Sequence, residues 1–215
     1  MGLTSEFKKI RFFETLQPVF TSNGYEFVPL LNQFRKTTRK GYSNVVIYPT
    51  IYPEQIYFEV SFGSRINIVE KTILPYVNGV KGFSEEGNTV LTNLKKFLDL
   101  PGFKLTAKSG QQLEETIHFI SSFFEEGGFE YLESFTDIYQ LDRHLNTDPQ
   151  DHHYFIGNPI LYCFRGITIA SLTDSWRWRE LYQFYGKKLE ELQAPGLVRE
   201  SYNRMVFFLS DMGLN

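Results

Sequence analysis

"QIYFEVSFGSRINIVEKTILPYV", residues 55–77, changes its apolar period halfway along. Ile56, Phe58, Val60 and Phe62 alternate with Tyr57, Glu59 and Ser61. Period two is that of a strand with one buried face and one partly wet face. From Ile66 onward, Val69, Ile73 and Val77 recur at helical spacing, with Pro75 near the end of the run. A strand followed at once by an amphipathic helix sets the expectation of a sheet with helices packed on it. Arg65 stands at the junction and is expected to satisfy carbonyls or a carboxylate there.

Upstream, "YSNVVIYPTIY" (42–52) reads as a second strand, joined to the first by a tight turn at Pro53-Glu54. "NQFRKTTR" (32–39) and "YEFVPLL" (25–31) extend an antiparallel meander towards the N-terminus. "TVLTNLKKFL" (89–98) and "GFKLTA" (102–107) are short enough to be added strands, giving three to five in all. The chain starts with a helix whose stripe is Phe7, Ile10, Phe13, Leu16 and Phe20, with Thr4 or Ser5 as cap. Pro18 is expected to kink that helix or end it early. Gly24 follows it in the place where a positive φ terminates helices.

From Ser109 the pattern is helical. Ser109 and Gln112 have capping-box spacing, and Leu113, Ile117, Ile120 and Phe124 make a stripe that Gly127-Gly128 ends. "FEYLESFTDIYQLDRHLN" (129–146) reads as one helix. Asn158-Pro159 opens the next, "ILYCFRGITIASL" (160–172), which is apolar enough to be buried. Asp174 is expected to cap the helix "SWRWRELYQFYGKKLEEL" (175–192). Pro195 opens a last one carrying Val198, Tyr202, Met205, Phe208 and Leu209. The fold expected is therefore α+β in one domain, 1–215. Residues 1–107 form the helix and antiparallel meander, and residues 108–215 the mostly helical part.

Composition fits a globular protein: 42% hydrophobic, 22% charged and 17% aromatic, with 21 Phe and 13 Tyr to fill thick layers. No apolar run approaches membrane-spanning length, and the acidic, amphipathic start does not read as a signal peptide. Cys163 is the single cysteine, which suits a reducing cytosol and a cytoplasmic location. Net charge is −3 but uneven: residues 1–83 carry 10 Lys/Arg against 6 Asp/Glu, and residues 84–215 carry 12 against 19. Such a dipolar chain offers its halves to different partners.

Few residues suggest chemistry. Asp148, Asp151, His152 and His153 form the best metal candidate, yet adjacent histidines diverge and further ligands are needed. The expectation is no metal and no cofactor. His118 and His144 read as structural, the latter at a helix end that favours a cation. Cys163 sits in the most apolar helix and reads as an inert thiol. No phosphate loop or nucleophile elbow occurs, so no catalytic residue is assigned. Arg35, Lys36, Arg39 and Lys40 could neutralise phosphates, with Tyr42, Tyr48 or Tyr52 stacking on bases. Their position around Gly41 favours a charged hairpin tip over a nucleic-acid site.

"FFETLQPVFTSNGYEF" (12–27), "YFEVSFGSRINIVEKTI" (57–73) and "FRGITIASLTDSWRWRELYQFYGKKLEEL" (164–192) share a layout of helix, strand and helix junctions. That layout resembles families of small bacterial proteins without assigned activity, some of which neighbour polymorphic toxins. The resemblance implies a bacterial cytosolic protein acting as an immunity or other accessory factor, and carries no catalytic residues with it. The residues themselves read first as a non-enzymatic protein-binding factor. Aromatics on a half-wet sheet, among them Tyr42, Tyr48 and Tyr57, together with Trp176, would supply contact area, and the acidic half would meet a basic partner. The alternatives are an enzyme or small-ligand binder with a pocket between sheet and helices, and nucleic-acid binding at the Arg35–Lys40 tip.

Overall fold

The strand that begins at Ile56 runs to Ile66 and passes directly into a helix at Asn67. The computed structural model describes residues 5–150 and 155–212. In chain order these form α1 (Ser5–Ser22), β1 (Glu26–Val28), a 3-10 turn (Pro29–Leu31), β2 (Gln33–Thr38), β3 (Gly41–Ile51), β4 (Ile56–Ile66) and α2 (Asn67–Val77). Then come β5 (Val90–Asn93), α3 (Leu94–Phe97), β6 (Leu105–Ala107), α4 (Gly110–Phe123), α5 (Phe129–Ser134), α6 (Ile138–Asn146), α7 (Pro159–Leu172), α8 (Trp178–Glu191) and α9 (Gly196–Met212). The fold is α+β. Strands β1 to β5 lie in sequence order and pair antiparallel, while β6 joins the sheet at the far end of β4.

The β3–β4 hairpin is the sheet's spine. It pairs from Gly41↔Ile66 to Ile51↔Ile56, and the Tyr52 amide closes the turn on the Gln55 carbonyl at 2.8 Å. Its period-two pattern sends Val45, Ile47, Phe58, Val60 and Phe62 to one face. Onto that face pack α1, α4, α5 and α6. Phe12 stacks on Phe58 at 4.0 Å and Phe20 on Phe34 at 4.2 Å. The α4 stripe is as expected, with Leu113, Ile117, Ile120 and Phe124 all buried. Its cap is also formed: Ser109 Oγ accepts from the Gln112 amide, and Gln112 Oε1 accepts from the Lys108 amide.

A second core joins α2, α7, α8 and α9 through Ile73, Phe164, Leu181, Tyr185, Tyr202 and Met205. Because β4 runs straight into α2, this helical group is tied to the end of the sheet. The tie is reinforced by charge. Arg165 of α7 grips Glu70 of α2 through two parallel bonds, Nε–Oε1 at 2.9 Å and Nη2–Oε2 at 3.0 Å, with both residues buried. Removing one member of such a buried pair costs about 3–5 kcal/mol, because the other is left uncompensated.

Several expectations need correction. Ile10 is 53% exposed, and Phe12 takes its place beside Phe13, Leu16 and Phe20. Positions 12, 16 and 20 keep a spacing of four, whereas 10 falls on the outer side. Of the two outcomes expected at Pro18, an early end is not the one found, since α1 continues to Ser22. The bond that Pro18 cannot make would have gone to the carbonyl of exposed Glu14, which water can satisfy. Residues 129–146 form two helices rather than one, because Asp137 turns outward and caps α6 through the Gln140 amide at 2.9 Å. Asp174 caps nothing at the start of α8. It sits at φ 52 behind α7, where its amide and that of Ser175 bond back to Ser171 and Ala170. Phe208 is 43% exposed, and Val206 is buried in its stead.

Two glycines are needed for different reasons. Gly24 has φ +81 and ends α1 in a Schellman motif, with Gly24 N to Thr21 O at 3.0 Å and Tyr25 N to Phe20 O at 3.0 Å. A Cβ there would meet only Lys36 carbons at ordinary distance. At Gly41 a Cβ would fall 1.8 Å from the Arg65 carbonyl oxygen, in the backbone of the neighbouring strand. Gly24→Ala should therefore cost about 1 kcal/mol, the conformational term alone. Gly41→Ala should cost more, since β3 must move off β4. Urea unfolding of the two variants checks the order, and equal losses would contradict it.

Candidate functional site

The other face of the sheet is the wet one, and its residues alternate with those of the core. Gln33 and Arg35 of β2 lie opposite Val46 and Asn44 of β3 on this side, and Tyr42 and Tyr48 share it. One end of the face is roofed by the connection between α2 and β5 and by the start of α7. The roof is held in place by backbone pairing: Phe155 bridges Thr92, and the Ile156 amide donates to the Leu91 carbonyl at 2.7 Å. Asn158 then caps α7 through the Ile160 amide, as its place before Pro159 implies, and its Nδ2 donates to the Lys81 carbonyl. Between face and roof is a cavity of about 510 Å³.

Polar groups converge on it. The amides of Gln33 and Asn44 meet at 2.9 Å, and those of Asn44 and Asn88 at 2.7 Å. The Gln33 amide could instead turn its oxygen to accept from Arg35 Nη2 at 2.9 Å, an orientation that gives up the bond from Asn44 Nδ2. The Arg35 guanidinium lies over the Tyr42 ring, 4.2 Å from its centroid. Tyr42 is buried, and its hydroxyl donates to the Glu86 carbonyl. Burial raises its pKa against the opposing pull of Arg35 and Arg65, so the phenol stays protonated. Tyr162 of α7 donates to the Ile156 carbonyl at 2.7 Å, and burial raises its pKa further still. Arg165 reaches the cavity from α7, with Glu70 on its other side. Leu31, Val46, Leu91 and Leu161 supply apolar wall.

The residues singled out in the sequence do not gather into one site. Arg35, Tyr42 and Tyr48 line the cavity. Lys36 points to the opposite side of the sheet, because adjacent strand residues alternate, and pairs with Glu133 at 2.9 Å. Arg39 and Lys40 form the β2–β3 turn and border a separate hollow of about 400 Å³ with Lys71 and Tyr139. The four basic residues are thus divided among three places. Tyr57 is half-buried where β4 meets β6, and Trp176 is 90% exposed between α7 and α8. Asp148 is exposed and accepts from the Gln150 amide. Asp151, His152 and His153 lie outside the described residues. Among the described residues no three His, Cys, Asp or Glu side chains are placed to share a metal ion. No helix among them is long and apolar enough to cross a membrane.

Gln33, Asn44, Asn88, Tyr162 and Arg165 carry no sequence motif. The one available signal was Arg165 itself, a cation inside the most apolar helix. Arg65 does what its junction position suggests: Nη1 donates to the Gly87 carbonyl at 2.8 Å and Nε to Asn67 Oδ1 at 3.2 Å. These bonds anchor the roof loop. No protein-family model, curated protein or solved structure matches the chain.

Two titratable groups outside the cavity give direct tests. Cys163 is buried, and desolvation pushes its thiol up to about 12. A disulfide reagent at pH 8 should leave it unmodified in the folded protein and modify it at once in denaturant; rapid native labelling would contradict its burial. His144 sits against the Tyr131 and Phe135 rings, with Nε2 3.2 Å from Ser134 Oγ. Burial, then Arg143, lowers its pKa, so the expected helix-end cation is disfavoured. The unfolded chain binds this proton more readily, so His144 contributes stability above its unfolded pKa of about 6.5 that is lost as pH falls through the lower folded value. Unfolding midpoints between pH 7.5 and 5.5 should fall less in His144→Gln than in the wild type.

Proposed function

We propose that this protein binds a small polar molecule in the cavity on the sheet's wet face. The observation that carries this reading is the convergence of Arg35, Arg165 and three side-chain amides on one cleft of about 510 Å³. That size lies within the range of small-molecule sites, in which a few fixed polar groups set orientation and specificity. The amides are held by one another and the roof by Arg65, so the groups are positioned before any ligand arrives. The aromatic side chains argue for the cavity over a flat contact surface, since Tyr42 is buried in its wall while Tyr57 and Trp176 lie elsewhere.

A second reading, a protein partner with an immunity-like or accessory role in a bacterial cytosol, draws on the cavity's lip. Leu30 is 95% exposed, Leu31 52% and Tyr48 55%, and such apolar residues beside a cavity can seat a side chain of another protein.

Val46→Trp separates the two. Val46 is half-buried on the wet face, and an indole there suits a strand while filling the cavity. In a melting-temperature screen against small polar metabolites, binders should stabilise the wild type and lose their effect on a folded Val46→Trp variant. Binders that act equally on both proteins, or a screen without binders, would sink the small-molecule reading.

A further inference from the structure

Arg165 has more donors than Glu70 uses. The guanidinium carries five N–H groups, and Glu70 takes one from Nε and one from Nη2. Nη1 has no hydrogen bond to any described residue. Arg165 is only 7% exposed, and it lines the cavity. These donors stay within reach of the cavity, where water accepts from them until a ligand oxygen takes its place. The bidentate grip of Glu70 fixes the plane of the group, so the open edge points in one direction.

The charge around that edge is also uneven. Arg35 has no ion pair among the described residues, and its guanidinium is half-buried against Tyr42 in the same cavity. Two carboxylates oppose these cations. Glu70 lies behind Arg165 and offsets its charge, and Glu86 stands on the exposed rim. The charge of Arg35 is therefore left uncompensated inside the cavity.

Resting on the ligand-binding reading above, we propose that the occupant is a small organic oxyanion, a carboxylate or a phosphate monoester, that accepts from the open edge of Arg165 and is balanced by Arg35. Planar guanidinium edges suit both groups, because each presents two oxygens at matching spacing. The Asn44 and Asn88 amides, beside Arg35, are placed for the polar remainder of the ligand. A cavity of about 510 Å³ admits such a molecule.

The test uses matched probes: benzoate against benzamide, and phenyl phosphate against phenol, titrated by calorimetry into the wild type, Arg35→Gln, Glu70→Gln and Val46→Trp. Losing a charge-assisted contact should weaken binding about tenfold or more. Benzoate or phenyl phosphate should therefore bind at least tenfold more tightly than its neutral partner. Arg35→Gln should remove most of that preference, and added salt should weaken the anions alone. Glu70→Gln gives the opposite sign. It frees the charge of Arg165 with little change of shape, so the oxyanion should raise its melting temperature more than it raises that of the wild type. A purely structural Arg165 would give equal rises and overturn the assignment. If Glu70→Gln does not fold, the Arg35→Gln and salt results decide alone. Neutral and anionic probes that bind equally, and are both blocked by Val46→Trp, would leave the cavity reading standing and defeat the oxyanion. Probes that bind but ignore Val46→Trp, or that all fail to bind, would defeat both.

Discussion

The buried pair between Arg165 and Glu70 links parts of the chain 95 residues apart, and the arrangement of the whole molecule follows from where it sits. Glu70 lies one turn into α2, whose start is fixed by the end of β4. Arg165 lies mid-way along α7, between the core that faces the sheet and the core that faces α8 and α9. An unpaired charge in either place would be costly. The pair therefore admits one placement of α7 relative to the sheet, where apolar contacts alone would tolerate several. Specificity rather than net stabilisation is the effect that buried ionic pairs are suited to.

That placement divides the sheet into unlike surfaces. One face is covered by α1, α4, α5 and α6 and is mostly apolar. The other is covered only at the end where α7 and the loop before β5 reach over it. Among the buried polar residues of the strands, Gln33 and Asn44 belong to this partly covered region, while Ser43 and Ser64 bond to the layer over the other face. Ser64 shows the latter case, its hydroxyl donating to the Phe135 carbonyl at 2.6 Å. A cavity with polar lining results from incomplete roofing. It needs no special backbone, since the strand pattern already alternates.

Elements with a strong period were legible in the sequence. The α4 stripe, the Val69–Ile73–Val77 stripe, Gly24 and the Asn158-Pro159 start all stand where spacing put them, because each is decided within a few residues. The failures lie where distant parts compete. Ile10 lost its place to Phe12 because only one rotation of α1 lets Phe12 stack on Phe58. Asp137 split a helix that its apolar spacing would have continued. The cavity was the least legible feature, since Gln33, Asn44 and Tyr42 on a wet face look like ordinary surface until a roof is placed over them. Arg165 stood out as a cation in an apolar helix, but nothing in the sequence said that it meets Glu70.

The β3–β4 hairpin has a consequence for synthesis. Its pairs are five residues apart at Ile51↔Ile56 and twenty-five apart at Gly41↔Ile66, so it can zip from its turn soon after residue 66 is made. Its apolar face then waits. Helix α1 precedes it and can shield part of that face, but α4, α5 and α6 are encoded only from Gly110 to Asn146. A ribosome-bound intermediate must carry Val60 and Phe62 uncovered while this stretch is translated, and vectorial folding exposes it to neighbouring nascent chains. The N-terminal half alone is thus a natural client for a chaperone that holds apolar sheet surface, and the covering helices, rather than the sheet, decide when the chain is released.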